Sequence, residues 1–171
     1  MTSRSEPDWH YGLLDPPPLP DPRDLDVTIR VAEAADVEAL ADLMTQLGYE
    51  TRASEMQMRM EAIRADRNYA TFVAVSKGKV CGMIGTYTCY SYEHNSPSGR
   101  ILALVVSEKM RGRGVGHALI AVAEKDLAQK NISRVAVNTR FERKEAHEFY
   151  EKAGYTRNGF RFVKELPMSA D

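Results

Sequence analysis

From residue 27 onward the chain switches regularly between the two hydrophobic periods that mark strands and helices. Residues 27–31 are rich in β-formers and read as a strand. Asp36 can then cap a helix whose Val37, Leu40, Ala41, Met44 and Leu47 share one face, with Gly48 as its stop. Ser54 and Gln57 have capping-box spacing for a second helix that turns Met56, Met60 and Ile63 inward. These methionines read as core filler rather than as a cofactor-binding feature. Residues 69–76 and 80–90 form two β-rich runs around Lys77, Gly78 and Lys79, which predicts a hairpin. A loop over 93–99 leads to a third apolar strand at 100–107. The spacing of Gly116, Leu119, Ile120, Ala123 and Leu127 predicts a helix over 114–130. A short strand at 134–138, a helix at 143–153 stopped by Gly154 and a last strand at 160–166 complete the chain.

The order β, α, α, β, β, β, α, β, α, β contains no repeat and predicts an α/β (α+β) fold, a mixed sheet sandwiched by helices, rather than an alternating doubly wound one. With 171 residues there is room for one domain, assigned to 27–171. Residues 1–26 hold six of the eight prolines and show neither period, so they are expected to form an extended, flexible arm. Trp9, Tyr11, Leu13 and Leu14 of that arm could dock on a surface or a neighbouring subunit.

Charge changes the picture only slightly. The formal net charge is -1, but the arm is acidic and leaves the rest at about +3, too weak a balance to argue for nucleic acid. Cys81 and Cys89 fall on one face of a single strand, roughly 26 Å apart at about 3.3 Å per residue, so they cannot pair within it. No Cys/His cluster suggests a metal. Reduced thiols, no apolar run long enough to cross a membrane and no signal peptide predict a cytoplasmic protein without a membrane partner.

The stretch VVSEKMRGRGVGHALI, residues 105–120, is the richest in chemistry. A phosphate loop of the Walker type would need Gly-Lys-Ser/Thr, and a dinucleotide fingerprint would need glycine where His117 stands. Glycines at a strand-to-helix turn instead let backbone N–H groups approach an anion, while the helix N-terminus adds partial positive charge. Arg111, Arg113 and Lys109 add charge suited to a polyanion.

Residues 111–116, RGRGVG, resemble the R-x-x-G-x-G/A signature of the GNAT superfamily of acyl-CoA-dependent N-acetyltransferases. AHEFYEKAGY, residues 146–155, resembles that family's second signature, A-x-x-F-Y-x-x-x-G-F/Y. The resemblance spans residues 27–166. It implies a mostly antiparallel sheet whose strands splay at the acetyl-CoA site. It further implies that the amides of Arg111, Gly112, Arg113, Gly114, Val115 and Gly116 hold the coenzyme pyrophosphate, and that Val105 and Val106 meet the pantetheine arm. Asn138, at the end of the next strand, could also face pantetheine.

The resemblance implies acetyl transfer to a primary amine, a small molecule or a protein or peptide amine, directly and without a covalent enzyme intermediate. An alkyl ammonium near pH 7 has only about one free lone pair in 10³ molecules, so a base must take its proton. Tyr150 matches the family's general acid, which protonates the departing thiolate. Residues 100–106 offer no carboxylate where many relatives carry a base, which leaves Glu93 or His94 as candidates for a base or water relay. His117 and His147 read as structural or solvent-facing. Arg143 stands where the family often has asparagine, and with Arg140 it could meet the coenzyme's phosphates or an acidic acceptor. Tyr49, Glu50, Tyr87, Tyr90 and Tyr92, with Glu93, suggest an aromatic acceptor pocket suited to a cationic amine. Two further expectations are a homodimer reached through the arm and, as an alternative function, a non-catalytic acyl-CoA sensor or assembly module of the same fold.

Overall fold

The computed structural model describes residues 26–92 and 95–167. The expectations for the arm, Glu93 and His94 therefore lie outside the described residues. Residues 26–140 and 141–167 belong to separate packed units.

The first unit is built on a five-stranded sheet in the order β1 (Thr28–Val31), β2 (Tyr69–Ser76), β3 (Lys79–Cys89), β4 (Ser98–Val106) and β5 (Val135–Val137). Neighbours are antiparallel except β4 and β5, which run parallel. The β2–β3 hairpin turns on Lys77 and Gly78, both at positive φ (48° and 74°), the pair of left-handed conformations that matches strand twist.

Two helices cover one face. In α1 (Val37–Gln46) the inward stripe is Val37, Leu40, Ala41 and Leu43, and in α2 (Ala53–Ala65) it is Met56 and Met60, all packed with Val73, Met83 and Val105 of the sheet. Met44, Leu47 and Ile63 are partly buried against this cluster. Gly48 (φ 100°) ends α1 by a Schellman motif: the Tyr49 N–H donates to the Met44 carbonyl (3.0 Å) and the Gly48 N–H to that of Thr45 (2.9 Å).

Both expected N-caps are corrected. Asp36 makes no side-chain cap to α1; its carboxylate accepts from the Glu33 N–H at 2.7 Å and from both Nη atoms of Arg30 at 2.7 and 2.8 Å. The α2 box is Arg52 with Glu55, whose carboxylate accepts from the Arg52 N–H at 2.8 Å. Ser54 already lies in the first turn, where its hydroxyl cannot take the cap position.

The other face receives α3 (Val115–Gln129) through Val115, Ala118, Leu119, Ile120, Ala123 and Leu127. The expected stripe is right except at Gly116, which is half-buried. Two strand glycines let the helix come close. A Cβ on Gly82 would lie 3.1 Å from Leu119 Cδ1, and one on Gly99 only 2.9 Å from Leu127 Cδ1. α3 ends in a second Schellman motif around Asn131 (φ 59°), which tucks Ile132 under Gly99.

The second unit contains α4 (Lys144–Lys152) and the segment after it. The expected strand at 160–166 is not formed. Its alternation satisfies the side-chain period, but a strand also needs a neighbour's N–H and C=O groups, and no ladder pairs this segment among the described residues. Phe160, Phe162, Val163 and Leu166 are exposed. The two cysteines are free, Cys81 buried and Cys89 half-buried.

Candidate active site

The sheet opens at one place. β4 stays paired with β3 as far as Val106, opposite Gly82, but it pairs with β5 only from Gly99 to Ile101, opposite Val135 to Val137. A register shift between Gly85 and Thr86 skips Leu102 on β4 at that same point. Such a bulge bends a strand and raises its twist, and beyond Ile101 β4 keeps its ladder to β3 but has none to β5. Val105 itself is buried in the core, while Asn138 is exposed just past the end of β5.

The glycine turn follows directly. A 3-10 turn, Glu108–Met110, leads into Arg111, and α3 begins at Val115. Gly112 (φ 72°) and Gly114 (φ 84°) both hold left-handed backbone, and a Cβ on Gly112 would meet nothing within 4 Å. The first N–H groups of α3 have no partner inside the helix by geometry, and they face the end of the turn with the positive end of the macrodipole. Arg113 is exposed, Val115 is a core residue at 1% exposure, and Gly116 lies in the first helical turn. The Arg111 side chain folds back instead of projecting, its Nε donating to the Val106 carbonyl at 3.1 Å. One anchor has no signal in the sequence: the Glu108 N–H donates to Gln46 Oε1 at 3.1 Å, fixing the start of the turn to the last residue of α1.

In the second unit Tyr150 sits half-buried on α4, edge-on to Phe149 (ring centroids 5.2 Å apart) and to Tyr155 (5.6 Å). Burial pushes its phenol up to about 12, with the Arg143 guanidinium pulling it down by less. The hydroxyl is therefore protonated at neutral pH and available as a donor. The spacing Tyr150, Gly154, Tyr155 is that of a third Schellman motif. The Tyr155 N–H donates to the Tyr150 carbonyl (2.9 Å) and the Gly154 N–H to that of Glu151 (3.0 Å), with Gly154 at φ 88°. The same hydrogen bonds that end the helix thus place Tyr155 as a brace for the Tyr150 ring. A hollow of about 330 Å³ in this unit is lined by Phe141, Lys144, His147, Glu148 and Arg157, and no expected site residue lines it.

The residues expected to meet the acceptor fall in different surroundings. Tyr87 lies against Tyr69 at 4.6 Å, and Tyr90 and Tyr92 are exposed, at 84% and 111%. Tyr49, beside the exposed Glu50, carries the Arg140 guanidinium over its ring, 5.5 Å from Cζ to centroid.

A model of the Acetyltransferase (GNAT) family matches residues 37–155, most of the chain, and includes both the glycine turn and the Tyr150 helix. The chain belongs to the GNAT acetyltransferase family. It is 36% identical over 101 residues to an aminoalkylphosphonate N-acetyltransferase of Salmonella typhimurium, a match covering 59% of this chain and 66% of that protein, about two thirds of its length. A GNAT family acetyltransferase structure from Staphylococcus aureus superposes with a TM-score of 0.71 at 26% identity, covering 82% of this chain and 98% of that one. Glucosamine-6-phosphate N-acetyltransferase from Arabidopsis thaliana shares the fold, with a TM-score of 0.71 at 22% identity over 82% of this chain and 99% of that one.

Family membership implies acetyl-CoA as co-substrate, and the turn of this GNAT chain suits a diphosphate. Positive φ at two glycines, open space where a Cβ would stand and a helix N-terminus are the features that let amides close on an anion. Among the described residues no group of three or more His, Cys, Asp or Glu could hold a metal ion. None of the described helices is long and apolar enough to cross a membrane.

Proposed function

We propose that the protein is an acetyl-CoA-dependent N-acetyltransferase that acts directly on the primary amine of a small molecule. The observation that carries this reading is the opening of the sheet beyond Ile101, which runs straight into a turn with left-handed glycines at 112 and 114 and then into α3. Backbone groups of Val105 and Val106 border the opening, and the amides of 111–116 close on the coenzyme diphosphate. Acetyl-CoA supplies an activated thioester.

The chain's own part of the chemistry is orientation and proton management. A primary ammonium, near ~10.4, must lose a proton before it can attack. Glu93 or His94 remains the proposed base or water relay, since residues 100–106 contain no carboxylate. Tyr150 is the proposed acid. Full transfer from a phenol near 12 to a thiolate whose conjugate acid lies near ~8.5 is uphill, so its contribution is a hydrogen bond that stabilises the departing sulfur as charge develops there. The Salmonella relative named for aminoalkylphosphonates supports a small-molecule acceptor over a protein one.

Two-substrate kinetics with acetyl-CoA and a small primary amine test this reading. Intersecting initial-rate lines, and no acetylated protein after incubation with acetyl-CoA alone, are the expected result. Parallel lines with an acetylated protein would replace direct transfer by a covalent route. Tight coenzyme binding with no turnover on any amine would replace the enzyme by an acyl-CoA sensor.

A further inference from the structure

We infer that Gly85 and Thr71 shape the seat of the acceptor, an amine whose uncharged carbon chain lies on the sheet at Gly85 and carries a neutral hydrogen-bonding group to the Thr71 hydroxyl. This rests on the proposed acetyltransferase reading and adds the substrate class.

A glycine inside a strand weakens it, so each one needs a reason. Gly82 and Gly99 have theirs in the close approach of α3. Gly85, on the middle strand β3, shares neither that reason nor a conformational one. It is not at positive φ, and a Cβ there would meet nothing within 4 Å. The extra residue of the neighbouring bulge is Leu102 on β4, so the bulge does not call for glycine on β3 either.

Gly85 turns to the face that carries α1 and α2. Met83, two residues earlier and on the same face, belongs to their core together with its strand partners Val73 and Val105. The partners of Gly85 are Thr71 on β2 and Ala103 on β4. Ala103 is the second residue past the last β4–β5 pair, so it borders the opening proposed for the thioester. Two residues beyond Gly85 stands Tyr87, lying against Tyr69. The helices thus cover this face at Met83 and leave it open at Gly85.

Thr71 is the second, independent sign. It is only 8% exposed, yet its hydroxyl makes no hydrogen bond among the described residues. No fully enclosed side-chain oxygen there lacks a partner, so this hydroxyl keeps some open surface. Its strand partner is Gly85, and the free space beside it is the space over that glycine. A nearly buried hydroxyl left unpaired costs stability unless a ligand meets it.

The span between the two ends sets the length of the substrate. β2 and β4 lie two strand spacings apart, about 9–10 Å. A hydrogen bond takes about 3 Å of that, which leaves about 6–7 Å, an extended chain of about five carbons. Met83, Val105 and Tyr87, which flank the space, include no carboxylate, ammonium or guanidinium. The one charged residue of β4, Arg100, pairs with Tyr87 farther out and is exposed.

The test compares 5-aminopentan-1-ol with hexylamine, which replaces the hydroxyl by a methyl, in wild type, Thr71→Val and Gly85→Val. Wild type should favour the amino alcohol by tenfold or more in kcat/KM. Thr71→Val should erase that preference without easing unfolding in urea, because it removes a hydroxyl with no internal partner. Gly85→Val should lower kcat/KM tenfold or more for both amines by filling the space, with KM for acetyl-CoA unchanged. Gly85→Ala, a smaller intrusion at an ordinary φ, should act in the same direction while unfolding at or above the wild-type urea midpoint. Equal use of the two amines, or use of neither by an enzyme that acetylates another small amine, would overturn the inference and leave the acetyltransferase reading intact. A preference that survives Thr71→Val, or a rise in KM for acetyl-CoA with Gly85→Ala, would also overturn it. If no amine is acetylated, the functional reading fails and saturation-transfer NMR with CoA present decides this one separately. Binding of 5-aminopentan-1-ol that both Thr71→Val and Gly85→Ala weaken supports it, and no binding, or binding that either variant leaves unchanged, overturns it.

Discussion

Gly112→Ala separates what the glycine turn needs for folding from what it needs for the coenzyme. At φ 72° an alanine is held in the left-handed region, which costs roughly 1–2 kcal/mol, and with nothing within 4 Å of the new methyl there is no clash to add. Gly78 in the β2–β3 hairpin is a matched control, with φ 74° and equally open space. Gly78→Ala should therefore lose the same roughly 1–2 kcal/mol in urea unfolding, within about 0.5 kcal/mol of its counterpart. Their function should diverge. The open space at Gly112 is where the account places the coenzyme diphosphate, so a methyl there should weaken CoA binding tenfold or more, about 1.4 kcal/mol, by calorimetry. Gly78→Ala should bind CoA as wild type does. Equal CoA affinity in the two variants would refute the assignment of the turn, whatever their stabilities.

Three further outcomes follow from individual contacts. Gly99→Ala drives a methyl to 2.9 Å from Leu127 Cδ1 and should destabilise by about 1–3 kcal/mol through overpacking under α3, measured by urea midpoint. Asp36→Asn should cost about 1.5–3 kcal/mol by breaking the paired bonds to Arg30. Arg30 and the Glu33 N–H hold the Asp36 carboxyl below its usual range, so its stabilisation is present above the ordinary aspartate value and is lost as pH falls through the lowered folded value. Unfolding midpoints between about pH 5 and 2 should accordingly fall more steeply in wild type than in Asp36→Asn. Tyr150→Phe should lower kcat with little change in KM for acetyl-CoA, and a difference absorbance titration against wild type should show the missing phenol ionising near 12 rather than 10. A lost titration near 10 would mean that Tyr150 is not buried as described.

The features legible in the sequence were those written in local chemistry. Gly48 and Gly154 stop helices because only a residue comfortable at positive φ can close the C-terminal hydrogen bonds, and Lys77-Gly78 makes its hairpin for the same reason. The glycine turn was readable because strand, glycines and amphipathic helix follow one another directly. The caps were not legible, since Asp36 finds a stronger partner in Arg30, six residues earlier on β1 and invisible to helix rules, and the α2 box falls on Arg52. The strand expected at 160–166 failed because alternation describes side chains, whereas a ladder depends on which backbone lies alongside. The bulge at Leu102, just past the last β4–β5 pair, has no composition signal of its own. Contacts across long separations were beyond reach in the same way: Gln46 holding Glu108, and Arg140 lying over the Tyr49 ring.

The most direct measurement is mass spectrometry of acetyl transfer from isotope-labelled acetyl-CoA into a pool of small primary amines, acidic and neutral, with Tyr150→Phe run in parallel. Labelled N-acetyl product is expected with wild type, strongly reduced in a mutant that remains folded and binds acetyl-CoA. No labelled amine, from a wild-type protein whose melting temperature acetyl-CoA still raises, would contradict it.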